Sequence, residues 1–115
     1  MSPSVSVPKD LAKWIDERAR LLASLGEQLE AIAKHDRRDR QAWTLNLLEE
    51  AAELETHARR MVHLLTAYAL RERLASATVV AKRSGVTITG AQNRNGSALA
   101  QEVWSEVFGS SGSTP

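Results

Sequence analysis

Five polar side chains fall within residues 87–94, at spacings that suit one short helix. The amide groups of Gln and Asn can pair with adenine through two hydrogen bonds, and the guanidinium group of Arg can pair with guanine in the same way. Thr hydroxyls add smaller donors and acceptors. We therefore treat these side chains as candidate contacts to base edges in duplex DNA. They are Thr87, Thr89, Gln92, Asn93 and Arg94.

Basic side chains cluster in the same part of the chain. The whole protein carries a formal net charge of +1, but residues 71–96 hold five basic side chains against one acidic side chain, which gives +4. Such a concentration of positive charge is the electrostatic pattern expected of a phosphate-binding surface. The predicted phosphate contacts are Arg71, Arg73, Lys82 and Arg83, together with the hydroxyl of Thr78.

Residues 77–94 have small and apolar side chains at the intervals of two short helices joined by a tight turn. Two helices that cross steeply need a small residue at their contact, and the turn needs a residue that adopts positive φ. This segment resembles the helix-turn-helix of bacterial transcription regulators over about residues 77–96. The resemblance implies that the second helix enters the major groove of DNA. The matching structural positions are Ala81, Gly85, Val86 and Ala91.

Capping residues predict short helices on both sides of this turn. Ser76 and Thr87 are suited to cap the two helices of the motif, and Ser97 is suited to cap a helix over Ala98–Phe108. That C-terminal helix would support the motif, so residues 71–108 are predicted to form one DNA-binding unit. Residues 109–115 contain only Gly, Ser, Thr and Pro, which predicts a disordered tail.

Residues 8–70 carry the apolar periodicity of two long amphipathic helices. Large apolar side chains recur at intervals of three and four over residues 11–32, and again over residues 43–69. The polar run over residues 35–40 predicts the connection between them. The expected fold class is all-α: a long antiparallel helical hairpin, then a short helix-turn-helix with its C-terminal supporting helix. Residues 1–7 are expected to form a flexible arm.

Several large apolar side chains lie off the main stripes of the two long helices. A hairpin has one seam, so pairing two hairpins into a four-helix dimer would cover these side chains. We therefore expect a homodimer that presents two recognition helices to successive major-groove faces. The side chains concerned are Leu21, Leu45, Leu48, Val62, Leu64 and Tyr68.

An acidic cluster in the second long helix offers a different chemistry. Glu49, Glu50 and Glu53 match the Glu-Glu-x-x-Glu half of the motif in all-helical, Mg²⁺-dependent nucleotide pyrophosphohydrolases. Carboxylates three and four residues apart share a helix face and can bind the ion. The Glu-x-x-Asp half is missing, because the segment that begins at Glu72 ends in Ala75. A solvated acidic helix face is the simpler interpretation, and we expect no metal site.

Other residues that could do chemistry fit structural roles better. His57 and His63 are six residues apart, which does not place them on one helix face for a shared metal ion. Arg37, Arg38 and Arg40 alternate with acidic residues, as is typical of a solvated loop. Trp14 and Trp43 lie on apolar stripes and are expected in the core. The Val5-Ser6-Val7 arm before a helix is similar to ribbon-helix-helix proteins, but the compact second helix of that family is absent.

Composition narrows the classes of function. The chain has no Cys, which excludes disulfides and thiolate metal sites, and no apolar run long enough for a membrane span. No catalytic pattern is evident, so we expect no enzyme activity, no cofactor and no small-molecule effector. We expect a cytoplasmic, nucleoid-associated protein that binds specific duplex DNA as a small dimeric transcriptional regulator or a plasmid- or phage-type accessory factor. The alternative is a non-catalytic helical-bundle module for protein–protein interaction.

Overall fold

The computed structural model describes residues 6–109, and every regular element within that range is an α-helix. The helices are α1 (Lys9–Lys34), α2 (Arg40–Arg71), α3 (Ala77–Ser84), α4 (Ile88–Asn95) and α5 (Ala98–Phe108). The predicted all-α class, with a long hairpin followed by short helices, is confirmed. Most of the predicted arm over residues 1–7 and of the predicted tail over residues 109–115 lies outside the described residues.

α1 and α2 pack antiparallel along a seam whose positions alternate by three and four residues. On α2 the buried or half-buried positions are Trp43, Leu47, Glu50, Leu54, His57, Met61, Leu64 and Tyr68. On α1 they are Leu11, Ile15, Arg18, Leu22, Leu25, Leu29 and Ile32. A seven-residue repeat of this kind is the pattern of a left-handed coiled coil. At the connection, the Asp39 side chain caps α2 by accepting a hydrogen bond from Ala42 N at 3.0 Å.

Polar residues interrupt this seam. Arg18 Nη1 donates to His57 Nδ1 at 2.8 Å, because a guanidinium group can only donate. Glu50 is half-buried, and its Oε2 atom is shielded from solvent with no hydrogen-bond partner among the described residues. A shielded carboxylate oxygen without a donor opposes the stability that the apolar seam supplies.

α5 packs across the N-terminal end of α1 and the C-terminal end of α2, and it completes the main core. Leu11, Trp14, Leu64, Val103 and Val107 form this core, which draws on all three helices. Leu64 and Val103 are fully buried, with 0% exposure. The core therefore joins the hairpin to the last helix of the short-helix region.

The aromatic side chains of α5 also correct part of the predicted dimer surface. Tyr68 packs against Trp104 and Phe108, with ring centroids 6.3 and 6.1 Å away. The prediction that a second copy of the chain covers Leu64 and Tyr68 is wrong, because α5 of the same chain covers both. Leu21 is half-buried, whereas Leu45, Leu48 and Val62 remain exposed.

α2 ends in a tight turn that redirects the chain into α3. Arg73 adopts a left-handed conformation with φ of 55°, although it is not a glycine. Leu74 N donates to Ala69 O at 2.8 Å and Arg73 N donates to Leu70 O at 3.2 Å, which is the hydrogen-bond pattern of a Schellman motif. The turn thus satisfies the last carbonyls of α2 at the expense of about 1 kcal/mol of backbone strain at Arg73.

The molecule is elongated, with principal extents of 61 × 29 × 26 Å. The long axis follows the hairpin, whose outer half extends beyond the region where α3, α4 and α5 pack. None of the helices within residues 6–109 has the length and apolar character needed to span a bilayer.

Candidate nucleic-acid interface

The turn between α3 and α4 is built on Gly85. Gly85 adopts φ of 73° and ψ of 29°, a left-handed conformation that glycine reaches without steric cost. Val86 N donates to Ala81 O at 3.0 Å and Gly85 N donates to Lys82 O at 3.4 Å, so α3 ends in a Schellman motif. The predicted role of Gly85 at the end of this helix is confirmed.

Serine and threonine side chains fix the beginnings of the three short helices. Ser76 Oγ accepts from Val79 N at 3.2 Å, Thr87 Oγ1 from Gly90 N at 2.9 Å, and Ser97 Oγ from Ala100 N at 3.1 Å. Each bond satisfies an amide that the helix itself leaves unpaired. All three predicted caps are therefore present, and they set where α3, α4 and α5 begin.

Small side chains form the contact between α3 and α4. Ala81 has 2% exposure and Ala91 has 0%, and both lie in one cluster with Val80. Val86 packs against the same cluster. The structure thus brings together Ala81, Val86 and Ala91 beside the Gly85 turn, as the sequence predicted for the structural positions of the motif.

Gly90 lies in the first turn of α4, next to the Thr87 cap. A Cβ atom at this position would come within 3.1 Å of Thr87 Oγ1 and 3.4 Å of Val86 Cβ. The first of these distances is tighter than side chains ordinarily tolerate. The glycine therefore preserves the close fit between the cap, the turn and α4.

The polar face of α4 points away from its buried contact. Thr89, Gln92 and Asn93 are exposed, and they lie about 100–160° around the helix from Ala91 at 100° per residue. Thr87 is also exposed at the start of the helix, where its Oγ1 is already engaged as the cap. Four of the five predicted base contacts are thus accessible on or beside one face.

Arg94 does not share that face. It follows Ala91 by three residues, which places it on the side of α4 that packs against the rest of the protein. Its side chain is half-buried, and its Nη1 atom is shielded from solvent with no hydrogen-bond partner among the described residues. The structure therefore separates Arg94 from Gln92 and Asn93, with which the sequence had grouped it.

Exposed cations lie on α3 and on the turn that precedes it. Lys82 and Arg83 occupy the last turn of α3, and both are exposed, as are Arg73 and the hydroxyl-bearing Thr78. Arg83 also lines a groove between α2 and α3. Four of the five predicted phosphate contacts are therefore free to meet solvent or a ligand.

Arg71, the fifth predicted phosphate contact, is held by three other groups. Its Nε atom donates to Asn95 Oδ1 at 2.8 Å and its Nη2 atom donates to Asn95 O at 2.9 Å. Its guanidinium carbon lies 4.6 Å from the centre of the Trp104 ring, a cation–π distance. Arg71 thus joins α2 to the end of α4 and to α5, whereas Lys82 and Arg83 are exposed.

A polar cluster between the hairpin and α5 was not found from the sequence. Glu106 Oε2 accepts from Trp14 Nε1 at 2.8 Å and from Arg18 Nη2 at 3.0 Å, and its Oε1 accepts from Arg60 Nη2. Arg60 also donates to Glu102 at 2.7 Å. The Trp14 hydrogen bond first, and then the two guanidinium groups, hold the pKa of Glu106 below its ordinary value, against the opposing effect of partial burial. The signal that could have indicated it is Trp14, because a buried indole N–H needs an acceptor.

The acidic residues of the alternative prediction do not converge. Glu49 and Glu53 are exposed, whereas Glu50 is half-buried in the seam with α1. Across residues 6–109, no group of three or more His, Asp or Glu side chains has the arrangement of a metal site. The described residues therefore give the pyrophosphohydrolase alternative no ion-binding centre.

The fold and this site define a class: an all-helical protein in which a short helix with exposed cations is followed by a short helix with an exposed polar face. Comparison with protein-family models, with curated proteins and with solved structures finds no match for this chain. What the surface binds is therefore inferred from the side chains that it presents.

Proposed function

We propose that this protein binds specific sequences of double-stranded DNA, with α4 as the helix that enters the major groove. The observation that carries the proposal is the exposed face of Thr89, Gln92 and Asn93 on a helix fixed by the Gly85 turn. A helix of this kind fits the major groove, and amide side chains there can hydrogen bond with adenine through two atoms. Regulation of transcription is the first role we propose, and a plasmid- or phage-type accessory role uses the same surface.

Phosphate contacts would come from the exposed cations next to α4. Lys82 and Arg83 at the end of α3 and Arg73 before it carry the charge, and Thr78 adds a hydroxyl donor. Such contacts fix the register of a protein on DNA and supply much of its affinity, without reading sequence. Arg71 and Arg94 are left out of the interface, because the structure engages the first with Asn95 and shields the second.

Fluorescence anisotropy on duplex DNA tests the proposal, first with a random pool and then with the site selected from it. The double variant Gln92→Ala, Asn93→Ala should lose at least about tenfold in preference for the selected site, because each good amide–base pair contributes about 1–3 kcal/mol of discrimination. Gln101→Ala is the matched control, since Gln101 is an exposed glutamine on α5. Its affinity and sequence preference should equal those of the unaltered protein.

Salt dependence separates phosphate contacts from base contacts. Lys82→Ala should weaken binding to all sequences alike and reduce the slope of log affinity against log salt concentration by about 1. Lys13→Ala, an exposed lysine on α1, should leave the slope unchanged. Absence of binding at low salt would refute DNA binding and would favour the helical interaction module, for which the apolar groove beside α3 is the supporting observation.

A further inference from the structure

α2 carries a second seam of residues at alternating spacings of four and three, one position after the seam that faces α1. Most of its members are apolar, yet Leu48, Val62 and Leu65 are 62%, 36% and 42% exposed. No helix of the described chain covers this face along its length. We call it the outer seam, and it consists of Thr44, Leu48, Ala51, Glu55, Ala58, Val62, Leu65 and Ala69.

The two ends of the outer seam differ. At the inner end, which is the C-terminal end of α2, Val62 and Leu65 line a groove of about 550 Å³ together with Val79 and Arg83 of α3. At the outer end, near the tip of the hairpin, Leu45 and Leu48 project from α2 with 52% and 62% exposure. One end is therefore an open apolar groove, and the other end is an apolar ridge that is free to fill it.

We propose that a second copy of this chain covers the outer seam, with the two α2 helices antiparallel about a two-fold axis between residues 56 and 57. In that register Leu48 lies opposite Leu65 of the second copy, Ala51 opposite Val62, and Glu55 opposite Ala58. The same register thus matches large with small side chains near the centre and leucine with leucine farther out. Each apolar ridge enters the groove of the other copy, which is the self-complementary arrangement of a two-fold interface.

Seven-residue periodicity places α3 on the correct side for this pairing. Leu45 lies three heptads before Thr66, and Thr66 lines the groove. Glu49 lies three heptads before Leu70, and Leu70 packs against the buried cluster of α3 and α4. Leu45 and Glu49 therefore occupy, at the tip, the side of α2 that α3 covers at the inner end. A two-fold axis across the helix pair brings them to Val79 and Arg83 of the other copy.

The charges along the outer seam suit the same arrangement. Glu55 and Arg59 lie on either side of the two-fold axis, with side chains that are 71% and 60% exposed, and they bridge within one chain at 3.6 Å. In the dimer each faces the opposite charge of the second copy. Glu49 and Arg83, both exposed, also come together with opposite sign. In the dimer Arg83 is therefore engaged by the second copy, and Lys82 and Arg73 remain as the cations for phosphate. Opposite charges at matching positions favour this partner and this register.

Sedimentation equilibrium over a range of concentrations, without DNA, tests the pairing. We expect a species of twice the 12.6 kDa chain mass. Leu48→Glu and Leu65→Glu should each raise the dimer dissociation constant by about a hundredfold or more, because each change acts twice in a symmetric interface. Leu74→Glu is the control, since Leu74 is 65% exposed and lies outside the seam. Thermal melts should confirm that all three variants fold.

Cysteine crosslinking fixes the register, because the chain has no cysteine of its own. A mixture of the single variants Leu48→Cys and Leu65→Cys should give mixed crosslinked dimers. Neither variant alone should crosslink with itself, since the two copies of residue 48 lie about 25 Å apart along the helix pair. Self-crosslinking of Leu48→Cys, a monomer at high concentration, or a dimer that survives Leu65→Glu would each overturn the proposal. The dimer is deduced from α2 and not from DNA, so a dimer that fails to bind DNA would refute only the proposed function.

Discussion

Arg71 is an arginine with a structural role, whereas other basic residues of the same segment are exposed. Lys82 and Arg83 are exposed, whereas Arg71 donates two hydrogen bonds to Asn95 and stacks on Trp104. The planar guanidinium group can do both at once, which the ammonium group of lysine cannot. Arg71 therefore positions the end of α4, and any contribution to the proposed DNA binding would be indirect.

Replacing Arg71 by lysine separates the two roles. Arg71→Lys keeps the charge but loses the paired hydrogen bonds and most of the stacking, so we expect the free energy of unfolding to fall by about 1–2 kcal/mol. Urea denaturation measures this loss. The slope of log affinity against log salt should stay the same, and Arg73→Lys should change neither quantity. Unchanged stability in Arg71→Lys would contradict the structural role of Arg71.

At the scale of single residues, the sequence predicted the roles of side chains that act within their own turn or helix end. It did not predict the partners of side chains that meet residues far along the chain. Ser76, Thr87, Ser97 and Gly85 have roles defined within three or four residues, so their types alone predicted the helix boundaries. Arg71 meets Asn95 across 24 residues, which no spacing rule indicates. Arg94 is an intermediate case, because its position three residues after Ala91 already implied the inner face of α4.

Helix α5 connects the hairpin to the short helices. Its apolar side packs on Leu11, Trp14 and Leu64, while its acidic side binds the hairpin through Glu106. Amphipathic periodicity predicted α5 and both long helices, but it could not say which surface α5 would cover. The prediction for Leu64 and Tyr68 failed for this reason, since the pattern placed both off the predicted stripes and could not show that α5 of the same chain covers them.

Acid should weaken the attachment of α5. The pKa of Glu106 is lower in the folded protein than its ordinary value of 4.5, so its contribution to stability is complete above that pH and is lost as the pH falls through the folded-state pKa. The Glu106 side chain is 40% exposed, so we discount the contribution for solvent screening to about 1 kcal/mol. Glu106→Gln should lower the free energy of unfolding by that amount at neutral pH and reduce its loss below pH 4.5.

Urea denaturation of this variant from neutral pH down to acid pH makes the measurement. Glu102→Gln serves as the control, because Glu102 bonds to Arg60 alone and its side chain is 65% exposed. Its effect should be smaller at every pH. If Glu106→Gln showed the same dependence on pH as the unaltered protein, Glu106 would not be the group that titrates.

At the scale of the whole molecule, the proposed dimer would set the distance between the two copies of α4, the helix that we propose reads DNA. The short helices pack on α2 near Ala69 and Leu70. With a two-fold axis between residues 56 and 57, these points of the two copies lie about 40 Å apart along the helix pair. One turn of DNA measures about 34–36 Å, so this separation is compatible with the proposed entry of both copies of α4 into successive major grooves on one side of the duplex.

This spacing predicts how the DNA site is divided. Two half-sites with inverted symmetry and centres about one turn apart should bind best, and inserting five base pairs between them should lower the affinity at least about tenfold, because the half-sites then face opposite sides. Anisotropy on the selected site and on its spaced version checks this. The Leu48→Glu variant should be insensitive to spacing. Equal binding of the unaltered protein to both sites would argue against paired reading.

The contact between Trp14 and Glu106 spans 92 residues, and this separation has a consequence for how the chain folds. α1 and α2 are neighbours in sequence and can pack against each other early in folding. Docking of α5 comes later, because it must close a long loop. A chain emerging from a ribosome therefore exposes Leu11, Trp14 and Leu64 until α5 follows. Since Arg71 and Trp104 fix the end of α4, the exposed face of α4 acquires its position only at that moment. If α4 reads DNA as proposed, competence for DNA binding is then the last event of folding.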